Sequence, residues 1–262
     1  KNKNLRIIGM GGSILGAKAI YQFLNHKIKK KIIFIDNLNP KLNNFKKIKA
    51  TNIIISKSGN TLETIVNSNA LINSGKNIFI TEKKDSYLTR LANNLQSEII
   101  EHKNYIGGRY SVLSEVGMLP AEVMGLNEKK FKRFNYLIKN KNFLNQLLKN
   151  VNVILKLVKE KKFNSIILNY DYKAENLFKW YQQLVAESLG KKSKGILPVI
   201  STMPSDNHSL LQLYLDGPKN NFFTFFSSED KTSDKINNKF VQSTHNYLKN
   251  KSFFKIISSQ KK

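Results

Sequence analysis

The chain of 262 residues contains no cysteine and only four histidines. The first absence excludes disulfides and thiolate metal sites, and with them any redox chemistry carried by thiols. His26, His102 and His245 are scattered without metal-ligand spacing, so no metal is expected. No uninterrupted apolar stretch approaches the roughly 18 residues that span a bilayer. The opening Lys1-Asn2-Lys3-Asn4 leads directly into a strand pattern rather than a signal segment, so a cytoplasmic protein with no membrane partner is expected. Acidic residues are scarce too, 18 against 44 lysines and arginines, which leaves a formal charge of +26. Such an excess is common in nucleic-acid binders, but here no arginine-rich arm, zinc motif or aromatic RNA-binding pattern accompanies it. Lysines are spread from Lys27 to Lys262. They read as a solvated surface in a lysine-, asparagine- and isoleucine-rich chain, and no nucleic-acid partner is expected. A basic field would still draw in an anionic small molecule.

What is present is a regular alternation of short β-branched runs with amphipathic stretches, the pattern of parallel βαβ units. Strands are expected at 5–8, 31–35, 52–56, 77–81 and 97–100, with helices at 14–24, 61–74 and 86–95 between them. Gly75 sits where a helix C-terminal cap is expected. Residues 113 to 160 read as mostly helical, and a second series follows: a strand at 163–168, a helix at 175–190, a loop from Pro198 to Asp206, a helix from His208, a strand at 221–226, a helix at 231–249 and a strand at 253–257. The single tryptophan, Trp180, falls on the apolar face of the 175–190 helix and is expected in a core. The fold class is therefore α/β, with two doubly wound parallel-sheet units of which the second is incomplete. A first domain is placed at 1–125, a helical bridge at 126–160 and the second domain at 161–262.

Two turns carry phosphate chemistry. Ile53-Ile54-Ile55-Ser56-Lys57-Ser58-Gly59-Asn60-Thr61-Leu62-Glu63-Thr64 is an apolar strand emptying into a hydroxyl-rich turn that opens a helix. A helix start leaves backbone N–H groups unpaired at the positive end of the helix dipole, so it can hold a phosphate without a metal. Ser56, Ser58, Thr61 and Thr64 add hydroxyls, and Lys57 adds a charge. Upstream, Ile7-Ile8-Gly9-Met10-Gly11-Gly12-Ser13 repeats the design, with glycines that let backbone approach a ligand and Ser13 at the head of a helix. Read alone, this glycine run could be a dinucleotide fingerprint, with Asp36 near a ribose-binding position. The spacing fits poorly, because Ile14 stands where that fingerprint needs glycine. Two phosphate-type turns suggest one sugar phosphate between them. A third motif, Asn104-Tyr105-Ile106-Gly107-Gly108-Arg109-Tyr110-Ser111, follows the fifth expected strand. Its glycines permit a sharp turn that aims a guanidinium, either to stabilise a developing oxyanion or to make a structural ion pair.

In this order, Gly11-Gly12-Ser13, Ser56-Lys57-Ser58-Gly59-Asn60-Thr61 with Glu63 and Thr64, and Gly107-Gly108-Arg109-Tyr110-Ser111 resemble the motifs of the glucose-6-phosphate isomerase family, whose domains have the sugar-isomerase (SIS) fold. The resemblance continues through Gln182-Gln183-Leu184-Val185-Ala186-Glu187-Ser188-Leu189-Gly190-Lys191 and Ser205-Asp206-Asn207-His208-Ser209. Departures are Glu115, where small residues or proline are usual, and Ala186, where a glycine is common. The resemblance implies reversible aldose-ketose isomerisation of glucose 6-phosphate and fructose 6-phosphate through a cis-enediol, without cofactor or metal. It implies that Gly12, Ser13, Ser56, Lys57, Ser58, Thr61 and Thr64 bind substrate, that Arg109 steadies the enediolate, that Glu187 moves the proton and that His208 assists ring opening. In this family the histidine reaches the neighbouring subunit's site, which implies a homodimer.

Read without that resemblance, Glu187 is an exposed residue near a helix end, and His208 is a capping or core histidine. The family's C-terminal ring-opening lysine has no counterpart among the residues present, so either the native chain continues past Lys262, the favoured expectation, or the protein is a degenerate relative. Two other readings share the hydroxyl-rich turn: an isomerase of glucosamine 6-phosphate or mannose 6-phosphate, and a non-catalytic sugar-phosphate sensor.

Overall fold

The computed structural model describes residues 4–38, 42–72, 76–227 and 256–258. The chain divides into two compact units, Lys1–Arg133 and Phe134–Lys262, so the division falls inside the segment expected as a bridge.

In the first unit, strands β1 (Asn4–Gly9), β2 (Lys31–Ile35), β3 (Thr51–Ile55), β4 (Asn77–Thr81) and β5 (Glu98–Glu101) pair in the order β2-β1-β3-β4-β5, all parallel. Helices α1 (Leu15–Leu24), α2 (Leu42–Lys46), α3 (Leu62–Leu71), α4 (Tyr87–Asn94) and α5 (Glu115–Val123) connect and follow them. The central strands are nearly continuous runs of isoleucine because both faces of a parallel sheet are covered. Leu5, Ile7, Ile53, Ile55 and Ile80 point to one face and pack with Ile14 and Ala17 from the first glycine turn and α1, and with Val116 of α5. Ile8, Ile54 and Phe79 point to the other and meet Leu71 of α3 with Leu88 and Ala92 of α4. The period-2 alternation thus divides one apolar run between two cores.

This arrangement creates a switch point. β1 and β3 are neighbours, with Gly9 in register with Ile55, yet the chain leaves β1 toward one face as α1 and leaves β3 toward the other as α3. In open parallel sheets the crevice at such a reversal, outside the strand C-termini, is where ligands bind. At the opposite end of the same strands, Arg6 is fully buried. It donates to Asn52 Oδ1 and to the carbonyls of Phe45 and Ile48, each at 2.7 Å. Asn52 in turn donates to Asn77 Oδ1 at 2.7 Å, so the in-register residues of β1, β3 and β4 form a polar ladder under the core.

The second unit contains α6 (Asn135–Lys139), α7 (Lys141–Lys159), β6 (Asn164–Asn169), α8 (Glu175–Leu189), β7 (Leu197–Thr202), α9 (Leu211–Asp216), β8 (Asn221–Phe226) and β9 (Ile256–Ser258). Its parallel sheet has the order β7-β6-β8-β9, and Ile166, Leu168, Met203, Tyr214, Phe223 and Phe225 form its core. Three expectations are corrected here. The segment read as a loop from Pro198 is strand β7, paired with β6 from Leu197 to Thr202. Proline is tolerated because β7 is the outermost of the described strands and Pro198 needs no ladder donor there. The helix expected from His208 begins at Leu211, after a turn of 3-10 helix at Ser205–Asn207. Trp180 is only partly buried, and α8 holds no fully buried residue. Gly75, the 231–249 helix and part of the 253–257 strand lie outside the described residues.

Candidate active site

The two phosphate-type turns leave adjacent strands at the switch point of the first sheet. After β1, residues Gly11–Ser13 form a single turn of 3-10 helix that leads into α1. Gly12 is pressed against the third motif: a Cβ built on it would lie 2.4 Å from the carbonyl carbon and oxygen of Gly108 and 2.7 Å from the amide nitrogen of Arg109. No side chain fits in that space. The glycine at position 12 therefore brings the first and third motifs into backbone contact, although they lie far apart in sequence.

After β3, Ser56 organises the second turn from inside. It is buried; its Oγ lies 2.9 Å from Thr61 Oγ1 and 3.5 Å from Ser58 Oγ, and it accepts from the Gly59 amide at 3.2 Å. Ser58 is exposed and accepts from the Asn60 amide at 3.2 Å. Gly59 has φ of +68°, and a Cβ there would sit 2.1 Å from Ser86 Oγ, so both conformation and space require glycine. Thr61 is the N-cap of α3, but its side chain makes no capping bond; its hydroxyl is turned to Ser56. The first-turn amides of α3 accordingly have neither an intrahelical acceptor nor that side chain as a partner.

Two expected ligands are placed otherwise. Thr64 is 1% exposed, and its Oγ1 is shut away from solvent, with no partner among the described residues. Lys57 does not reach toward the turn's open side: its Nζ donates to the carbonyls of Asn104 at 2.8 Å and Ile106 at 3.0 Å, and lies 3.5 Å from Glu82 Oε1.

The loop that carries Arg109 is a 3-10 segment, Gly108–Leu113, pinned by Ser111. Ser111 is fully buried and donates to the Gly108 carbonyl at 2.6 Å, while Ser114 donates to the Ser111 carbonyl at 2.7 Å. Arg109 is half-buried, its guanidinium carbon 4.7 Å from the centre of the exposed Tyr110 ring. Asp36, the candidate ribose ligand of the dinucleotide alternative, is in an ion pair with Lys18 at 2.5 Å, and Ile14 is buried in the core. The sequence reading missed Glu82 and Ser86. Both follow β4 at the same strand end, a position that could have flagged them; Ser86 caps α4 and abuts Gly59, and Glu82 faces Lys57.

In the second unit, Glu187 lies in the last turn of α8, exposed, and its Oε1 accepts from Gln183 Nε2 at 2.7 Å. His208 is also exposed, at the end of the Ser205–Asn207 turn, which excludes the core alternative. Asp206 closes that turn, accepting from Ser201 Oγ at 2.9 Å and the Thr202 amide at 2.8 Å. Among the described residues, no group of three or more His, Asp or Glu side chains could hold a metal ion, and no helix is long and apolar enough to cross a membrane.

Residues 2–202 match the family model for phosphoglucose isomerase, a span that includes all three loops of the first unit and Glu187 and stops short of His208. The chain belongs to the phosphoglucose isomerase family. Among relatives of that family, glucose-6-phosphate isomerase of Methanocaldococcus jannaschii is 37% identical over 241 residues, 85% of this chain and 59% of that protein. The enzyme of the same name from Campylobacter jejuni is 32% identical over 262 residues, 87% of this chain and 61% of that protein. The chain thus spans about three-fifths of the length of these relatives. Solved structures repeat the fold. A hypothetical protein from Thermus thermophilus superposes with a TM-score of 0.82 at 20% identity, covering 98% of this chain and 72% of that one. A glucose-6-phosphate isomerase from Chlamydia trachomatis gives 0.66 at 20% identity, covering 97% and 56%. This agrees with the expected family and with an α/β fold of parallel sheets.

Proposed function

We propose that this phosphoglucose isomerase family chain binds a sugar 6-phosphate at the β1/β3 switch point and takes part in the interconversion of glucose 6-phosphate and fructose 6-phosphate. The observation that carries this reading is the backbone contact of Gly12 with Gly108 and Arg109, which sets an arginine loop against two phosphate-type turns. Hydroxyls of Ser13, Ser56, Ser58 and Thr61, with the first-turn amides of α3, supply donors to the phosphate's acceptor oxygens. Thr64 joins them only if its hydroxyl becomes accessible.

Held by its phosphate, the sugar reacts at the other end, and that remote binding supplies orientation. His208 assists opening of the ring. The Glu187 carboxylate removes the proton from C2 of the open aldose; the C2–H electrons form the C1–C2 double bond and the carbonyl oxygen takes up charge. Arg109 stabilises that oxyanion, as a fixed cation beside developing charge does. Transfer of the O2 hydroxyl proton to O1 gives the C2 enediolate, and return of the abstracted proton to C1 forms the C2 carbonyl of the ketose. The scheme uses no cofactor or metal. The roles of Glu187 and His208 rest on the motif resemblance, as does a homodimeric assembly in which His208 serves the neighbouring subunit.

A coupled assay of fructose 6-phosphate conversion in the full-length protein and in Glu187→Gln tests the reading. Turnover lost with fructose 6-phosphate binding retained supports both the reaction and the base. Tight sugar-phosphate binding without turnover in the unsubstituted protein would instead leave a sensor.

A further inference from the structure

We propose that Lys57 is a positioning residue that ties the phosphate turn to the Arg109 loop, rather than a ligand of the phosphate. The inference rests on the reading of this strand edge as a sugar-phosphate site and assigns its one turn lysine a different task. An ammonium has three donors. Two are used on the carbonyls of Asn104 and Ile106, at 2.8 and 3.0 Å, and Glu82 Oε1 stands at 3.5 Å. A phosphate could recruit this group only by breaking one of those contacts.

The main chain of Lys57 is held as well. Its carbonyl accepts from the Glu82 amide at 3.2 Å and from Thr81 Oγ1 at 3.4 Å, both at the end of β4. Lys57 follows β3, and its two carbonyl partners lie in the segment that follows β5, so the side chain crosses the end of β4, two strand spacings or roughly 10 Å. Ile106 directly precedes Gly107-Gly108-Arg109. The arginine loop is therefore fixed from both sides, by Gly12 from the β1 turn and by Lys57 from the β3 turn. Glu82 completes the strut: its side chain is 14% exposed, and it is shared with Lys84 at 2.5 Å. Paired this way, the Lys57 charge is largely offset by its neighbour, as suits a strut more than an anion ligand.

The test compares Lys57→Met and Lys57→Arg in the full-length protein. Three readouts are used: the Kd for inorganic phosphate by ³¹P NMR, hydrogen exchange of amides 105–110, and the kcat and KM for fructose 6-phosphate. In Lys57→Met the phosphate Kd is expected to stay within about twofold, while the loop amides exchange about tenfold faster or more, as freed local structure does. The kcat should fall more than KM rises, because a mispositioned arginine weakens the transition state more than ground-state binding. Lys57→Arg, which keeps donors for two carbonyls, should restore much of the protection. A tenfold or greater loss of phosphate affinity with unchanged loop exchange would overturn the proposal and make Lys57 a ligand. Failure of the unsubstituted protein to bind phosphate would remove the site reading instead, and the exchange measurement would remain to judge the strut by itself.

Discussion

In the first unit, Gly12, Ser56, Thr61 and Arg109 sit on turns whose backbones touch or whose hydroxyls bond one another, above two packed cores. In the second, Glu187 and His208 are exposed, α8 has no fully buried residue, and among the described residues one core cluster lies on the sheet. The contrast follows the tasks proposed for each. Gripping a phosphate needs many donors held at once, and their mutual fixing comes from close packing. Passing a proton needs one carboxylate that can reach a carbon. Substitutions where the first unit's ligand turns pack on one another, as at Gly12, should therefore damage stability and binding together, whereas those at the second unit's candidate residues should damage rate alone.

The sharpest test of that difference is Glu187→Gln. Loss of a general base lowers turnover by about 10²- to 10⁴-fold, while an exposed helix residue leaves the urea midpoint unmoved. A midpoint shift beyond about 1 kcal/mol would mean that Glu187 is structural and that the contrast is false. Next comes Arg6→Met, at the foot of the first sheet. It leaves Asn52 Oδ1 and the carbonyls of Phe45 and Ile48 without the donor they share, and unsatisfied buried acceptors cost enough that about 3 kcal/mol of stability should go. Phosphate affinity measured on the folded fraction should hold, since Arg6 lies at the opposite strand end. Gly12→Ala ranks third, at about 2 kcal/mol of overpacking strain. Unlike Arg6→Met, it should also weaken phosphate binding, because the methyl group must push the Gly108 carbonyl away.

Much of the first unit was legible because its signals are local. Ile53-Ile54-Ile55 running into Ser56 and Gly59 announces strand, turn and helix within a dozen residues, and the observed β3 begins and ends one residue earlier than expected. What escaped notice depends on distant partners. Nothing local to the expected 5–8 strand marks Arg6 for burial; its partner Asn52 lies 46 residues away. Lys57 reads as a phosphate ligand until the Asn104 and Ile106 carbonyls, 47 and 49 residues on, take up its donors. Thr64 carries the right hydroxyl, but the helix phase turns it inward. In the second unit Pro198 masked β7, since only sheet position decides whether a strand proline is harmless.

A smaller effect should appear with pH. The Lys84 hydrogen bond, then the charges of Lys84 and Lys57, hold the Glu82 carboxyl below its ordinary value despite its partial burial. A depressed carboxylate contributes stability above its unfolded pKa of about 4.3 and loses it as pH falls through the folded value. Glu82→Gln should therefore cost under about 1 kcal/mol at neutral pH and flatten the stability profile below pH 4 or so. Equal acid sensitivity in the variant would remove Glu82 from the strut.

The smallest effect is expected on α7. Leu144, Leu147, Leu148, Val151 and Leu155 recur at helical spacing, yet each is at least 37% exposed, and Leu157 is the one buried residue of that helix. A leucine whose side chain already faces water gives up little burial when shortened, so Leu148→Ser should shift the urea midpoint by no more than about 0.5 kcal/mol, with an unchanged m-value. That near-silence would extend the contrast to α7, which would then add little packing energy beyond Leu157. A loss above about 1 kcal/mol would break it. The stripe would then be covered in solution, and the second unit would be held together by more than its sheet.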